Sequence, residues 1–167
     1  DEGGQIAAGG NSNPELLDKL NALDYYKRTY PKSLANDFGT DVVYPLIKGQ
    51  RLSIPDSLRT YTDHIAVQTS NAIAAAGSHK TQTTIPKLLI TGGGALNTFL
   101  IHQLSNQLKK LSIEVVVPDK KLVNFKEALI MAFIGVLRWR QEYNVLSSVT
   151  GSVRDSIGGA LWTGQEA

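Results

Sequence analysis

Lys87-Leu88-Leu89-Ile90-Thr91-Gly92-Gly93-Gly94-Ala95-Leu96-Asn97 is the stretch on which the fold turns. Leu88, Leu89 and Ile90 make a short apolar run that suits a strand. Three glycines follow, and from Asn97 apolar residues return at helical spacing, at Leu100, Ile101, Leu104 and Leu108. Strand, glycine turn, helix is the simplest assignment. A second strand is expected at Ile113 to Val117, rich in β-branched residues as where both faces of a sheet are covered, and Pro118 closes it. Strands alternating with helices predict an α/β fold with a crossover from one parallel strand to the next.

Upstream, Asn13 as cap and Pro14 at the first helical position predict a helix over 14–26, with Leu16, Leu20 and Leu23 on one face. Residues 29–54 read as loops around one short helix, with Pro45-Leu46-Ile47 able to pack on a core. A long helix is predicted over 56–76, its stripe running through Leu58, Tyr61, Ile65, Thr69, Ala72, Ile73 and Ala76, with Gly77 placed to end it. Downstream, Asn124 is the expected cap of another helix and Glu127 its capping-box partner. From Ala128 to Leu137 that helix is apolar on nearly every side, so it is expected to be buried. Two strands make a poor sheet. Asp41–Tyr44 and Ser148–Thr150 are candidates for further strands; otherwise the rest would lie in sequence before Asp1.

Composition narrows the function classes. A chain of 167 residues with 42% hydrophobic and 19% charged residues is of one-domain size and globular type. Seventeen basic and fifteen acidic residues leave +2, with no long basic run, so no nucleic-acid partner is expected. The absence of cysteine excludes disulfides, thiolate metal sites and a cysteine nucleophile. His64, His79 and His102 share no ligand spacing, and no metal ligand is nominated. No leader-like segment or membrane-length apolar run appears, which predicts a cytoplasmic protein with no membrane partner. Asp1 is not a methionine and lies in a glycine-rich stretch, DEGGQIAAGGNSN, so the chain is expected to be a piece of a longer protein.

The residues able to carry chemistry are few. Gly92, Gly93 and Gly94 lie where α/β sheets bind ligands, and a backbone without side chains can approach a flat or anionic group closely. A purely steric turn is the alternative. No Gly-Lys-Ser/Thr follows, so the turn is not a P-loop, and it is not G-x-G-x-x-G. Glu127 reads as a capping carboxylate, as one facing a hydroxyl-bearing ligand, or as both. Tyr30-Pro31-Lys32-Ser33-Leu34 offers a cation and a hydroxyl, against the default of a solvated turn. His102 reads as a surface or interface residue, and Arg138 and Arg140 as the solvent-exposed or snorkelling end of the apolar helix.

Taken together, YPKSLANDF (30–38), LLITGGGALNTFL (88–100), VVVPD and FKEALIMAFIGVLRW (within 115–139) and SSVTGSVRDSIGG (147–159) resemble the C-terminal half of bacterial anhydro-N-acetylmuramic acid kinases. That family is placed with the sugar kinase, actin and heat-shock chaperone ATPases. The resemblance implies a partial actin-like ATPase domain of the ribonuclease H-like type, a short sheet flanked by helices. It implies ATP and Mg2+ as cofactors of the full-length parent, held between two lobes, and an amino-sugar substrate whose 1,6-anhydro ring is opened by water as the 6-oxygen is phosphorylated in cell-wall recycling. Carried over, Gly92, Gly93, Gly94 and Asn97 match nucleotide contacts, and Glu127 and Lys32 fall to the sugar. Val123-Asn124-Phe125-Lys126 replaces a more acidic stretch of many relatives, and Leu34-Ala35-Asn36-Asp37 replaces Thr-Gly-Arg-Glu or Leu-Gly-Asn-Glu. The aspartate expected to activate water falls upstream of Asp1, so no catalytic residue is nominated and the isolated chain is expected to be inactive. A non-catalytic, chaperone-like nucleotide-binding module is the alternative, and an open sheet edge makes a homodimer an expectation.

Overall fold

Caps and prolines decide where most elements begin. The computed structural model describes residues 1–29, 32–76, 85–162 and 164. In chain order the elements are a 3-10 turn Glu2–Gly4, α1 (Gln5–Ala8), α2 (Pro14–Asn21), α3 (Asp24–Lys27), a π-helical turn Phe38–Val43, α4 (Tyr44–Gly49), α5 (Ile54–Ala75), β1 (Lys87–Leu89), a 3-10 turn Gly93–Leu96, α6 (Thr98–Lys109), β2 (Glu114–Val116), α7 (Lys120–Trp139) and α8 (Ser147–Thr150). They form two compact units, Asp1–Pro118 and Asp119–Ala167.

In the first unit Asn13 caps α2 by accepting from the Leu16 amide at 2.8 Å, with Pro14 opening the helix as its sequence predicts. The predicted helix over 14–26 is two pieces, because Leu23 is extended (φ −54°, ψ 138°) between α2 and α3. Its side chain still packs where the leucine spacing places it. Leu16, Leu20 and Val43 are buried together, with Leu23, Phe38, Leu46, Ile47, Leu52 and Tyr61 against them. Pro45-Leu46-Ile47 therefore packs on the core as expected. Burying Leu16 and Leu20 contributes roughly 2 kcal/mol each.

α5 is the central helix, packed against α1, α2 and α6. Ser53 caps it and Pro55 occupies its first turn. The glycine-rich opening is short helical structure whose Ala7 is buried. Asp1 stabilises it, its two carboxylate oxygens each accepting one amide, from Ile6 and Ala7, at 2.9 Å. α5 differs from expectation in what it buries: Thr60, Thr62 and His64 with Ala66, a polar set that the apolar stripe did not mark. Gly77, expected to end that helix, and His79 lie outside the described residues, as do Tyr30 and Pro31.

β1 and β2 pair in parallel, Lys87 opposite Glu114 and Leu89 opposite Val116, with α6 between them in sequence. Neither candidate extra strand is one. Asp41–Val43 belongs to the π-helical turn and Tyr44 opens α4, while Ser148–Thr150 is helical in α8. The sheet is also less covered than its β-branched residues suggested, for Leu89 and Glu114 are exposed.

In the second unit α7 begins four residues before the expected cap. Asp119 is the cap, accepting from the Leu122 amide at 2.8 Å, because the chain leaves Pro118 extended and aspartate suits that position. Asn124 is thus interior. The helix is not buried: Phe125, Leu129, Ile130, Met131, Phe133, Val136 and Trp139 are 46–69% exposed, and only Val123 is buried. Few elements stand beside α7 in this unit. The returning tail folds on its end, where Asn144 Nδ2 donates to the carbonyls of Ile134 and Gly158 and Arg138 Nε to that of Gly159 at 2.8 Å. Arg138 is therefore a structural donor rather than a free end. Asp155 caps α8 through the amide and hydroxyl of Ser147, both at 2.7 Å, and those bonds hold its carboxyl below the usual range.

Candidate functional site

Parallel pairing aims the ends of β1 and β2 in one direction, and the glycine turn leaves from that carboxyl end. The Ile90 amide donates to the Val116 carbonyl at 2.9 Å, the last rung before the turn. Gly92 then takes φ 79°, ψ −176°, a conformation essentially reserved for glycine. Its carbonyl accepts from Ala95 at 3.0 Å and that of Gly94 from Asn97 at 3.1 Å, closing the 3-10 turn. The amides of Gly93 and Gly94 open this turn and have no acceptor within it. Gly93 and Gly94 are exposed.

Packing does not explain these glycines. A Cβ placed at Gly92 or Gly93 meets no atom within 4 Å, and one at Gly94 meets only Leu100 Cδ2 at an ordinary 3.8 Å. Gly92 is fixed by its backbone angle; Gly93 is required neither by angle nor by a neighbour. The bare backbone with free amides fits a flat ring or a phosphate laid against it.

Asn97 ends the turn and caps α6, its Oδ1 accepting from the Leu100 amide at 2.9 Å. With Oδ1 engaged, its amide nitrogen is the group left for an outside acceptor. The first residues of the chain buttress this corner: Thr98 Oγ1 donates to the Gly3 carbonyl at 3.0 Å, and Gly4 is buried against Asn97 and Phe99. Arg59 of α5 stands over the Phe99 ring at 5.1 Å and pairs with Asp63 at 3.1 Å, so the floor beneath α6 is braced.

Lys32, the sugar candidate of this unit, lies beside α3. Its ammonium is 3.4 Å from the carbonyls of Tyr25 and Tyr26 and 4.9 Å from the Tyr25 ring centre. It lines a cavity of about 970 Å³ together with Asn21, Gln68 and Asn71. Behind that wall is a group the sequence reading passed over. His64 is 1% exposed, its Nδ1 2.7 Å from Asn21 Oδ1 and its Nε2 3.0 Å from the Tyr26 hydroxyl. A carbonyl oxygen can only accept, so Nδ1 carries the proton and Tyr26 donates to Nε2. Burial pushes the imidazole pKa down to about 4 and raises that of Tyr26. The signal was present as Thr60, His64 and Gln68, spaced by four along α5 beside the apolar stripe.

Glu127 belongs to the other unit, on α7. Two turns inside the helix, it has no capping role, which removes one of its two sequence readings. It is exposed, and no hydrogen bond or ion pair engages it among the described residues. His102 sits on α6 with only Asn106 near its ring, 3.4 Å away. The described residues gather no group of three or more His, Asp or Glu around a common point, so they do not fit a metal site of their own. None of the described helices is long and apolar enough to cross a membrane.

What the first unit defines is an α/β protein with a bare glycine turn at the carboxyl edge of a parallel sheet. The sequence pattern of the anhydro-N-acetylmuramic acid kinase family matches residues 1–164, and the chain belongs to that family. It is 32% identical to the anhydro-N-acetylmuramic acid kinase of Hydrogenovibrio crunogenus over 97% of its own length and 43% of that protein's. The kinases of Rhodococcus erythropolis and Streptomyces coelicolor are each 29% identical, over 98% and 99% of this chain and 40% and 41% of theirs. The chain thus spans about two fifths of the length of these curated relatives.

Proposed function

We propose that this chain forms the adenosine-side part of an ATP-dependent kinase with an actin-like ATPase fold, acting on 1,6-anhydro-N-acetylmuramic acid in peptidoglycan recycling. In the full-length protein water adds at C1 as the C1–O6 bond breaks, and O6 takes the γ-phosphoryl of ATP. Such transfer depends on positioning and electrostatic stabilisation, with Mg2+ supplying charge neutralisation at the phosphates. The part of this chain is binding: Gly92, Gly93 and Gly94 form a wall for the nucleotide, Asn97 offers its amide nitrogen, and Lys32 and Glu127 contact the sugar. The water-activating base lies outside the chain, so 167 residues alone transfer no phosphate, and sugar phosphorylation by the isolated chain would overturn this assignment.

The observation that carries the nucleotide wall is Gly93. Its Cβ position is open and its backbone ordinary, yet it is glycine in a turn at the ligand-binding edge of a parallel sheet. Family membership supplies the nucleotide. Gly93→Val in the full-length protein tests it. The expected result is an ATP KM raised about tenfold with kcat little changed, and a melting temperature within about 2 °C of the parent. Lost stability with an unchanged ATP KM would make the turn steric and end the assignment.

A further inference from the structure

The contact between α5 and α6 bears on how Asn97 is aimed, and its meaning rests on the assignment of Asn97 to the nucleotide. The Asn97 side chain is tethered by the bond from the Leu100 amide to its Oδ1. That bond joins it to the first turn of α6, so the amide nitrogen points wherever that turn is held. Two residues on, Phe99 meets α5, with the Arg59 guanidinium over its ring at 5.1 Å. One turn further, Gln103 Nε2 donates to Asp63 Oδ1.

Arg59 and Asp63 are one helical turn apart on α5, as Phe99 and Gln103 are on α6, so the two cross-contacts are successive rungs between the same pair of helix faces. A single rung leaves a helix free to roll or slide; rungs at successive turns oppose both. The α5 side is itself tied down. Arg59 Nε donates to both Asp63 oxygens, at 3.1 and 3.3 Å, and Nη1 donates to the Gly10 carbonyl at 3.4 Å. The side chains of Arg59 and Asp63 are 28% and 14% exposed. Ion pairs so placed add little net stability, because desolvation offsets attraction, and their best-attested use is to set register. Further along, what α6 buries is Leu104 and Leu108, and apolar burial has no preferred direction. Gly4 closes on the same first turn, where a Cβ would lie 2.6 Å from Phe99 Cβ.

We propose that Arg59 is a positioning residue of the nucleotide site: by engaging Asp63, Gly10 and the Phe99 ring together it sets the roll and register of α6, and through them the place of the Asn97 amide nitrogen. Lysine is a poor substitute, since a point charge lacks the planar fork that meets a carboxylate, a carbonyl and a ring face at once.

The test is steady-state kinetics of the full-length protein, well below its melting temperature. Arg59→Ala is expected to raise the ATP KM about fivefold or more, and Arg59→Lys about two- to fivefold, with kcat and the sugar KM within about twofold of the parent. Asn97→Asp keeps an oxygen to cap α6 and loses the N–H donor, so it should raise the ATP KM by itself. In that background Arg59→Ala should add less than about twofold, because the group it aims is gone. An arginine that serves folding alone would lower the melting temperature and leave the ATP KM at the parent value. The proposal is overturned by an ATP KM within about twofold of the parent in Arg59→Ala, or in Arg59→Lys should the alanine variant not fold. A parallel rise in the sugar KM, an Asn97→Asp variant with the parent ATP KM, or full additivity of the two substitutions would each overturn it as well. The two assignments fail separately: an unchanged ATP KM in Gly93→Val ends the nucleotide wall, whereas a raised one there beside an unchanged one in Arg59→Ala ends the positioning role alone.

Discussion

Two glycine-rich regions of the first unit use the same residue for opposite reasons. At Gly10 a Cβ would sit 2.1 Å from the Pro55 carbonyl oxygen and 2.8 Å from the Asp56 amide nitrogen, and at Gly4 it would sit 2.2 Å from Asn97 Oδ1 and 2.6 Å from Phe99 Cβ. At Gly92 and Gly93 it would meet nothing within 4 Å. The early glycines let the chain lie against the starts of α5 and α6. Those at 92–94 keep a surface bare toward the outside. A glycine cluster is therefore read by what surrounds it, and sequence does not supply the surroundings.

The comparison breaks most readily at Gly10. Gly10→Ala forces a methyl into backbone that cannot rotate away, and we expect a loss of about 3 kcal/mol, or about 6–12 °C in melting temperature for a chain of this size. A melting temperature within 2 °C of the parent would mean that the approach to Pro55 is slack. α5, whose first turn Gly10 packs against, should respond to acid further along, at its buried histidine. His64 is held neutral in the folded state with a pKa of about 4, while the unfolded chain takes up a proton near the ordinary 6.5. Its contribution is thus intact above pH 6.5 and is lost progressively as pH falls toward 4, by an amount on the order of 3 kcal/mol. Urea unfolding at steps from pH 7 to pH 4 measures the slope, and His64→Gln should flatten it.

Much of this arrangement was legible beforehand. Asn13-Pro14, the leucines of α2 and the run from Leu88 through the glycines to Asn97 each act through neighbours in sequence, and each is where its local chemistry placed it. What failed is what depends on distant partners. The polar interior of α5 needs Asn21 and Tyr26, roughly forty residues away, to satisfy His64, so an apolar stripe could not reveal it. The start of α7 was missed because Asp119, just past a proline, outcompetes Asn124 as a cap, and this changes the site by freeing Glu127 from capping. The exposure of α7 was missed because apolar composition states what a helix would bury and not whether anything stands beside it.

Gly4 sharpens the comparison at a smaller scale, because its nearest obstacle is the oxygen that caps α6. Asn97→Ala should cost about 1 kcal/mol through loss of the bond to Leu100. Gly4→Ala should cost more, since Gly4 also has φ 77° and would press on Phe99. The double variant is expected to cost less than the sum of the two, because removing the Asn97 side chain vacates the position nearest the new methyl. Strict additivity in a chemical-denaturation cycle would mean that the clash is with Phe99 alone.

The smallest effects separate angle from contact within the open turn itself. Gly92 and Gly93 are adjacent and both face empty space, so no substituted methyl strikes anything and only the backbone differs. Gly92 has φ 79° and ψ −176°, where an alanine is strained by about 1–3 kcal/mol. Gly93 has no positive φ, so Gly93→Ala should change unfolding free energy by no more than about 0.5 kcal/mol and can raise it by restricting the unfolded chain. Paired urea titrations read the difference directly. Equal losses at the two positions would place a hidden contact at Gly93 and restore the steric account of the turn. A loss at Gly92 beside none at Gly93 leaves a glycine that folding does not need, in an exposed turn that follows the carboxyl end of β1.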